Sequence, residues 1–357
     1  MTLLSAIVLV RNEALHIEGC LESICQLTLP ADCELEVLVV DGRSNDGTRE
    51  KVETFSRRDG RVRLLDNPQL ITPCAMNIGA RAARGAFIAI FSGHATYPAD
   101  YLVQCYQTAQ RTGADNVGGL VIPQNPDAGF SARLVQALTT HRFGVGNSGF
   151  RVGMREGEAD TVPYGFYRRE VFDKIGFMDE RLVRAQDYEF NRRLCAAGGR
   201  IWLNPAIQIA YFNQSDISKF LSKQILKEGP YNTYLWYLAP YAFAVRHGIT
   251  GLFVLGVLGG ALLWPWLGWA QWIYLGVLGL YAVLAMVATI QQAVRYRDVR
   301  LVSCLPSCFF LFHFLHGLGV LKGALKLLMG TAPVQQAQEP WPGAGRKRAW
   351  PPLPPSK

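Results

Sequence analysis

Leu35-Glu-Val-Leu-Val-Val-Asp-Gly-Arg-Ser-Asn-Asp-Gly-Thr48 is the stretch that decides the fold. Its first six residues are a short apolar, β-branched run, and the polar turn residues that follow stop it abruptly. A strand buried on both faces reads this way, because a parallel sheet covered by helices leaves no solvent face for alternation. Ser5 to Val10, Val62 to Leu65 and Phe87 to Phe91 repeat the pattern. Between them Ala14, Ile17, Leu21 and Ile24 keep a three-to-four spacing, and Pro73 to Ala83 opens on a helix-initiating Thr-Pro. Strand alternating with helix is the signature of a doubly wound α/β sheet. Ligands bind such sheets beyond the carboxyl ends of the strands, so Arg11 to Glu13, Asp41 to Asp46 and Ser92 to His94 are expected around one crevice.

Composition then divides the chain of 357 residues. Up to about Gly229 charged and apolar residues alternate as in a soluble domain; Tyr231 to Met329 is dominated by Leu, Gly, Val, Ala and aromatics. The expected organisation is a front domain over 1–229, interfacial and membrane helices over 230–330, and a Pro-rich disordered tail over 331–357. Within the middle region 249–270 and 272–294 contain no Asp, Glu, Lys or Arg, and each exceeds the roughly 20 residues a bilayer requires. Trp264, Trp266, Trp269 and Trp272 suggest an aromatic belt at their turn. A third apolar segment, 301–321, carries Pro306, His313 and His316. If it crossed, Lys322, Lys326 and Arg346 to Arg348 would lie outside, against the preference of basic residues for the cytoplasm, so it is expected to be re-entrant or interfacial. Tyr231 to Val245, interrupted by Pro240, is expected in the interface.

The net charge of +8 fits anionic lipid or phosphate-bearing substrates, and with apolar helices present lipid rather than nucleic acid is the expected partner. Eight cysteines without paired CxxC spacing exclude a zinc site and a disulfide scaffold, and are expected to be reduced and mostly buried. No basic leader with an apolar core opens the sequence, so the front domain is expected in the cytosol.

Three constellations carry candidate chemistry. Asp41 at a strand end can accept hydrogen bonds from a base or ribose, or Asp41-Gly42 and Asp46-Gly47 can be turn residues, with Asp46 or Thr48 capping the next helix. Ser92-Gly-His94 ends the fourth strand and could face a metal and a diphosphate, or His94 can be an ordinary polar turn residue. Asp187 begins an evident helix, as a cap or as a general base with its pKa raised by partial burial. Phe143-Gly-Val-Gly-Asn-Ser-Gly-Phe-Arg151 lacks the strand-to-helix context of a phosphate loop and receives no nucleotide role.

VRNE (10–13), VDGRSNDGT (40–48), FGVGNSGFR (143–151), GEADTVPYGFYRREVF (157–172), DERLVRAQDYEFNRRL (179–194) and GGRIWLNP (198–205), in this order, resemble glycosyltransferase family 2, and most closely its succinoglycan-type exopolysaccharide branch. The resemblance covers Ser5 to about Gly229. It implies a GT-A fold and an inverting transferase moving a hexose, UDP-linked, to a lipid-linked sugar at the bacterial cytoplasmic membrane, beside other polysaccharide assembly proteins. It implies that Arg11, Glu13 and Asp41 hold the nucleoside, that Asp187 is the catalytic base, with Gln186 where the family has Glu, and that Gln224 and Lys227 lie on the acceptor or diphosphate side. A divalent cation, Mn²⁺ or Mg²⁺, is implied at the Asp-x-Asp or Asp-x-His position, which here reads Ser92-Gly93-His94. Only His94 remains as a protein ligand, and imidazole suits Mn²⁺ better than Mg²⁺. A synthase acting on polyprenyl phosphate itself, and an inactive relative serving as a membrane scaffold, are the alternatives.

Overall fold

The computed structural model describes residues 1–93, 95–124, 129–266 and 268–336. Contacts divide them into two compact units, Met1–Ile122 with Gly153–Phe212, and Pro123–Val152 with Asn213–Gln336. The second unit therefore starts at Asn213 rather than after residue 229, and recruits an internal segment the composition did not mark.

In the first unit the strands are β1 (Thr2–Val10), β2 (Cys33–Asp41), β3 (Val62–Asp66), β4 (Phe87–Ser92), β5 (Ala95–Thr96), β6 (Asn116–Gln124), β7 (Gly157–Glu158), β8 (Phe166–Arg168) and β9 (Ile201–Phe212). They form one sheet in the order β3-β2-β1-β4-β8-β6-β9-β5, with β7 beside β9. The half β3-β2-β1-β4 is parallel, as the apolar runs require. Its covering helices follow the expected periodicity: Ile17–Cys25 buries Ile17, Leu21 and Ile24, and Thr72–Ala82 starts with Pro73 in its first turn. The other half is antiparallel where β8 meets β4 and β6, and where β9 meets β5 and β7. Composition hid it, since β6 contains Gly118 and Gly119 and β9 contains Pro205. Gly119 is needed there: a Cβ would lie 2.0 Å from the Ile207 carbonyl oxygen.

The second unit is helical. Phe130–Thr139 places Leu134 and Leu138 in a core with Ala288, Leu301, Leu305 and Phe309, which is why it leaves the sheet. Ile217–Lys223 continues through a π-helical turn, Gln224–Glu228, into Gly229–Leu238. Among the described residues three helices are long and apolar enough to cross a membrane by length and composition. The first is Val245–Leu263; it stops before the expected 270 because Pro265 lies in a 3₁₀ turn, Trp264–Trp266, and Gly268 takes a φ of +52°. Ala270–Tyr296 contains the second expected span. Trp266, Trp269 and Trp272 are each about three-quarters exposed at the turn between them.

Leu301–Leu328 is one helix running through Pro306, without the chain reversal of a re-entrant segment. In the segment expected at the interface, Thr233, Tyr234 and Leu235 of Gly229–Leu238 are buried against protein. The tail is ordered at its start, where Ala332 and Val334 pack on Tyr234; residues 337–357, with Arg346, Lys347 and Arg348, lie outside the described residues. All eight cysteines are free; Cys74, Cys105 and Cys308 are buried and the other five half-buried, fewer buried than expected.

Candidate active site

The carboxyl ends of β1, β2 and β4 stand level, because Val10 pairs with Asp41 and Leu9 with Ser92. The loops that leave them are laced together. Asn12, at a φ of 56°, receives the Ser44 hydroxyl as acceptor for its N–H at 2.8 Å and accepts from the Asn45 N–H at 3.0 Å. The Glu13 N–H donates to the Thr48 hydroxyl at 2.8 Å, and the Ala14 N–H to Asp46 at 3.0 Å. Asp46 also accepts from the Thr48 hydroxyl at 2.6 Å and from its N–H at 3.1 Å. These hydrogen bonds, Thr48 first and the Ala14 N–H next, hold the Asp46 carboxyl below the usual range.

Asp41 is fully buried at the floor of this end of the sheet. Its carboxylate accepts from the Ser44 hydroxyl at 2.5 Å and from the Ser44 N–H at 3.2 Å, and the Arg49 guanidinium stands 3.7 Å away. Arg49 also reaches Asp66, at the end of β3, at 3.3 Å. A ligand hydroxyl or N–H therefore meets Asp41 by displacing Ser44 or Arg49. Arg11 lies flat over Gly42, whose Cβ would be 3.2 Å from Arg11 Cδ, and donates to the Leu70 carbonyl at 3.3 Å. Arg11 thus bridges the ends of β1 and β3.

Ser92 is half-buried, and its N–H donates to the Tyr97 hydroxyl at 3.0 Å. A Cβ on Gly93 would lie 3.5 Å from Glu13 Cγ, so the Glu13 side chain runs beside the strand end that carries Ser92. His94 lies outside the described residues. Among the described residues no group of three or more His, Cys, Asp or Glu could hold a metal ion. The described donors at this strand end, a neutral hydroxyl and a nearby Glu, do not make up a protein-built cation site. Behind it burial first, then the Glu13 charge, pushes the Cys20 thiol up to about 12.

Asp187 is the second residue of the helix Gln186–Ala196, which starts after Ala185 in the left-handed region at φ 60°. It is therefore inside the first turn rather than a cap, where the helix dipole favours its anion. It is half-buried, and Oδ1 accepts from the Tyr188 N–H at 2.9 Å. One turn along the same face, fully buried Asn191 fixes the helix: it donates to the Thr161 hydroxyl at 2.9 Å and the Val162 carbonyl at 3.1 Å, and accepts from Asn116 at 2.9 Å and Tyr167 at 3.1 Å. The segment 161–165 runs into β8, and the Ile90 N–H donates to the Gly165 carbonyl at 3.1 Å, so the helix is tied to the strip flanking the end of β4. Burial, and next the Asp187 charge, pushes the Tyr167 phenol up. Beside Asp187 the Gln186 Oε1 is buried without a hydrogen-bond partner among the described residues.

Gln224 and Lys227 belong to the second unit. Gln224 is buried in the π-helical turn and donates to the Phe220 carbonyl at 3.2 Å, and Lys227 is exposed. The structure thus brings Arg11, Glu13, Asp41 and Ser92 together, and puts Asp187 in the same unit but Gln224 and Lys227 in the other. Sequence reasoning placed Asn12 and Ser44 inside its candidate segments without a role of their own, and did not name Arg49, which adjoins a quoted motif; only the folded loops put Ser44 and Arg49 on Asp41, and Asn12 on Ser44.

Residues 5–176 match the family model described as Glycosyl transferase family 2. The chain carries a glycosyl transferase family 2 domain. Over 345 residues, 91% of this chain and 98% of the relative, it is 26% identical to the dolichyl N-acetyl-alpha-D-glucosaminyl phosphate 3-beta-D-2,3-diacetamido-2,3-dideoxy-beta-D-glucuronosyltransferase of Methanococcus voltae. It is 32% identical to succinoglycan biosynthesis protein ExoA of Rhizobium meliloti over 58% of this chain, and spans 62% of that protein. A solved structure, the mannosyltransferase PcManGT from Pyrobaculum calidifontis in complex with GDP-Man and Mn²⁺, has the same fold at a TM-score of 0.56 and 16% identity, covering 88% of this chain and 86% of that one. The mixed sheet is of GT-A type, and the chain is a glycosyltransferase.

Proposed function

We propose that this glycosyltransferase is an inverting enzyme that transfers a hexose from a UDP-linked donor to a lipid-linked sugar at the cytoplasmic face of a bacterial inner membrane. The observation that carries the reading is the level, cross-bonded set of strand ends around Asp41, at the edge where open α/β sheets bind ligands. The nearly full-length likeness to a transferase whose name specifies a dolichyl phosphate-linked sugar supports the acceptor class, and the likeness to a succinoglycan protein supports exopolysaccharide synthesis, with other assembly proteins as partners. The front domain, 1–229 in this reading, carries the chemistry and the apolar helices hold it at the lipid surface.

In this mechanism Arg11, Glu13 and Asp41 hold the nucleoside end of the donor. Asp187 accepts the proton of the acceptor hydroxyl as that oxygen bonds to the anomeric carbon from the face opposite the diphosphate. The bond from that carbon to the diphosphate breaks, and the configuration inverts. Gln224 and Lys227 orient the acceptor or the diphosphate. A divalent cation, if bound, would be held mainly by the donor diphosphate with His94 as its protein contact and would supply positive charge to the leaving group; the residues beside Ser92 require no step through it. Such a donor set would favour Mn²⁺ over Mg²⁺.

The test is transfer of radiolabelled sugar by purified protein, offered polyprenyl diphosphate-linked sugar and polyprenyl phosphate in separate reactions. Product with the first alone is expected. Product with polyprenyl phosphate alone would make the chain a lipid-phosphate synthase, and turnover with neither, across nucleotide sugars, would leave only a scaffold.

A further inference from the structure

The helix Leu301–Leu328 runs side by side, and in the same direction, with the helical rod 217–238. The register is continuous. The Phe220 and Phe312 rings stack at 5.6 Å; a Cβ on Gly319 would lie 2.7 Å from the Gln224 carbonyl oxygen; one on Gly229 would lie 2.8 Å from Gly319 Cα; the Thr233 hydroxyl donates to the Val320 carbonyl at 2.9 Å; and a Cβ on Gly323 would lie 2.9 Å from Pro230 Cα. Glycines on both helices make this close approach possible.

The first half of the rod is charged, with Lys219, Lys223, Lys227 and Glu228, and Lys219 and Lys227 are exposed. By the register, this half lies beside residues 312–319, the middle of Leu301–Leu328. On another side Phe143 meets Phe309 at 5.1 Å and His313 at 5.3 Å, and its neighbour Arg142 is exposed. If Leu301–Leu328 crossed a bilayer, its middle would sit at the hydrocarbon centre and carry these lysines and Arg142 with it, where ionised side chains are strongly disfavoured.

The hairpin of Val245–Leu263 and Ala270–Tyr296 behaves differently. Its outer faces expose Leu252, Leu255, Leu262, Val277, Leu280 and Val283, each by about half or more, with tryptophans at its turn and Arg246, Arg295 and Arg297 at its other end. Leu301–Leu328 exposes only four large apolar side chains, Val302, Leu311, Leu325 and Leu328, and packs on the half of the hairpin toward that basic end, as far as its middle: Leu301 and Leu305 share a core with Ala288, Gly317 lies against the Thr250 carbonyl, the Phe310 ring is 5.8 Å from Phe253, and His313 Nδ1 is 2.8 Å from the Tyr281 hydroxyl. The unit as a whole carries twelve Lys and Arg against four Asp and Glu.

We infer that Leu301–Leu328 is not a third span: it lies with the rod 217–238 as a two-helix raft in the headgroup plane, presenting basic side chains to anionic lipid, while only the hairpin crosses. This rests on the proposed membrane attachment. It places the chain before residue 245 and the chain after residue 328 on the same side, and it explains why a helix apolar all round is mostly covered by protein rather than lipid.

The test uses the full chain in intact bacteria, with paired reporters that are active only inside, a fluorescent protein, or only outside, alkaline phosphatase. Each is fused after Lys357 and, separately, inserted at Gly268. Fluorescence at the C-terminus with phosphatase activity at Gly268 is the expected result. Phosphatase activity at both positions means a third crossing and overturns the inference while leaving membrane attachment intact. Fluorescence at both positions means that the hairpin does not cross, which overturns the attachment on which the inference stands. A protease-protection arm separates the surface contact from the topology: purified protein in vesicles with about 30% anionic lipid should lose protection from protease at Lys219 and Lys223 when the anionic lipid is replaced by neutral lipid. Unchanged cleavage would overturn the anionic-lipid contact.

Discussion

At the scale of single residues, Asp187 and Asp41 are separated by what surrounds them. Asp187 sits half-buried in a first helical turn, with one oxygen on its neighbour's N–H and the helix fixed by Asn191 one turn away. Replacing it by Asn keeps the size and the acceptor for Tyr188, so donor affinity should hold while kcat falls by about 100-fold or more, since proton removal alone is lost. Single-turnover kinetics beside a UDP titration checks this, and an active Asp187→Asn protein would remove it as the base. Asp41→Ala should instead weaken UDP binding with a smaller effect on the chemical step, measured by calorimetry. Because Asp41 also anchors Ser44 and Arg49, a melting curve must show the variant folded before a loss of affinity is read as a lost contact. Ser92→Asp adds a hard anionic oxygen at the end of β4, and is expected to tighten metal binding and narrow the preference for Mn²⁺. Full activity in excess chelator, with His94→Ala unaffected, would show that no cation acts there.

At the scale of elements, the parallel half of the sheet depends on a buried acid away from the crevice. Glu36 of β2 accepts from the Ser5 hydroxyl of β1 at 2.7 Å and from the Arg84 N–H at 2.7 Å, and pairs with the Arg84 guanidinium at 2.9 Å. Burial opposes its ionisation, but the Ser5 and Arg84 hydrogen bonds outweigh that and hold its carboxyl below the usual range. A lowered folded pKa contributes stability that is complete above the unfolded value, near pH 4.5, and is lost as pH falls through the folded value. Glu36→Gln should therefore cost about 1–3 kcal/mol at neutral pH, less than an enclosed pair would, because Arg84 stays exposed and rehydrates. The difference from the natural protein should shrink in acid. Equal denaturation midpoints at pH 7 would show that the charge contributes nothing.

For the whole molecule, two apolar helices with exposed faces predict that an alkaline carbonate wash leaves the protein in the membrane pellet, since it removes proteins held by charge alone. Release into the supernatant would mean that the basic surface holds it and the hairpin does not insert. Division of labour between the units matches the chemistry asked of each. In the proposed reading a sheet edge supplies fixed hydrogen-bonding loops for a soluble donor, whereas a lipid-tethered acceptor calls for a surface that stays at the headgroups.

The sequence by itself determined the parallel half of the sheet, the helices on it and the positions of the apolar helices, because those follow from local periodicity: Leu35 to Val40 can be little other than a buried strand, and 272–294 without a charge can be little other than an apolar helix. It also marked Arg11, Glu13, Asp41, Ser92 and Asp187, whose motifs lie at strand and helix ends. Only the tertiary structure decided the antiparallel strands, where short, Gly- and Pro-containing segments such as β6 and β9 are held by their partners rather than by propensity. It alone turned the stretch 123–152 into part of the helical unit, through the burial of Leu134 and Leu138 against Leu301 and Leu305. It alone revealed Ser44 and Arg49 on Asp41 and the register of Leu301–Leu328 on the rod 217–238, since contacts between residues far apart in the chain leave no period in the sequence to read.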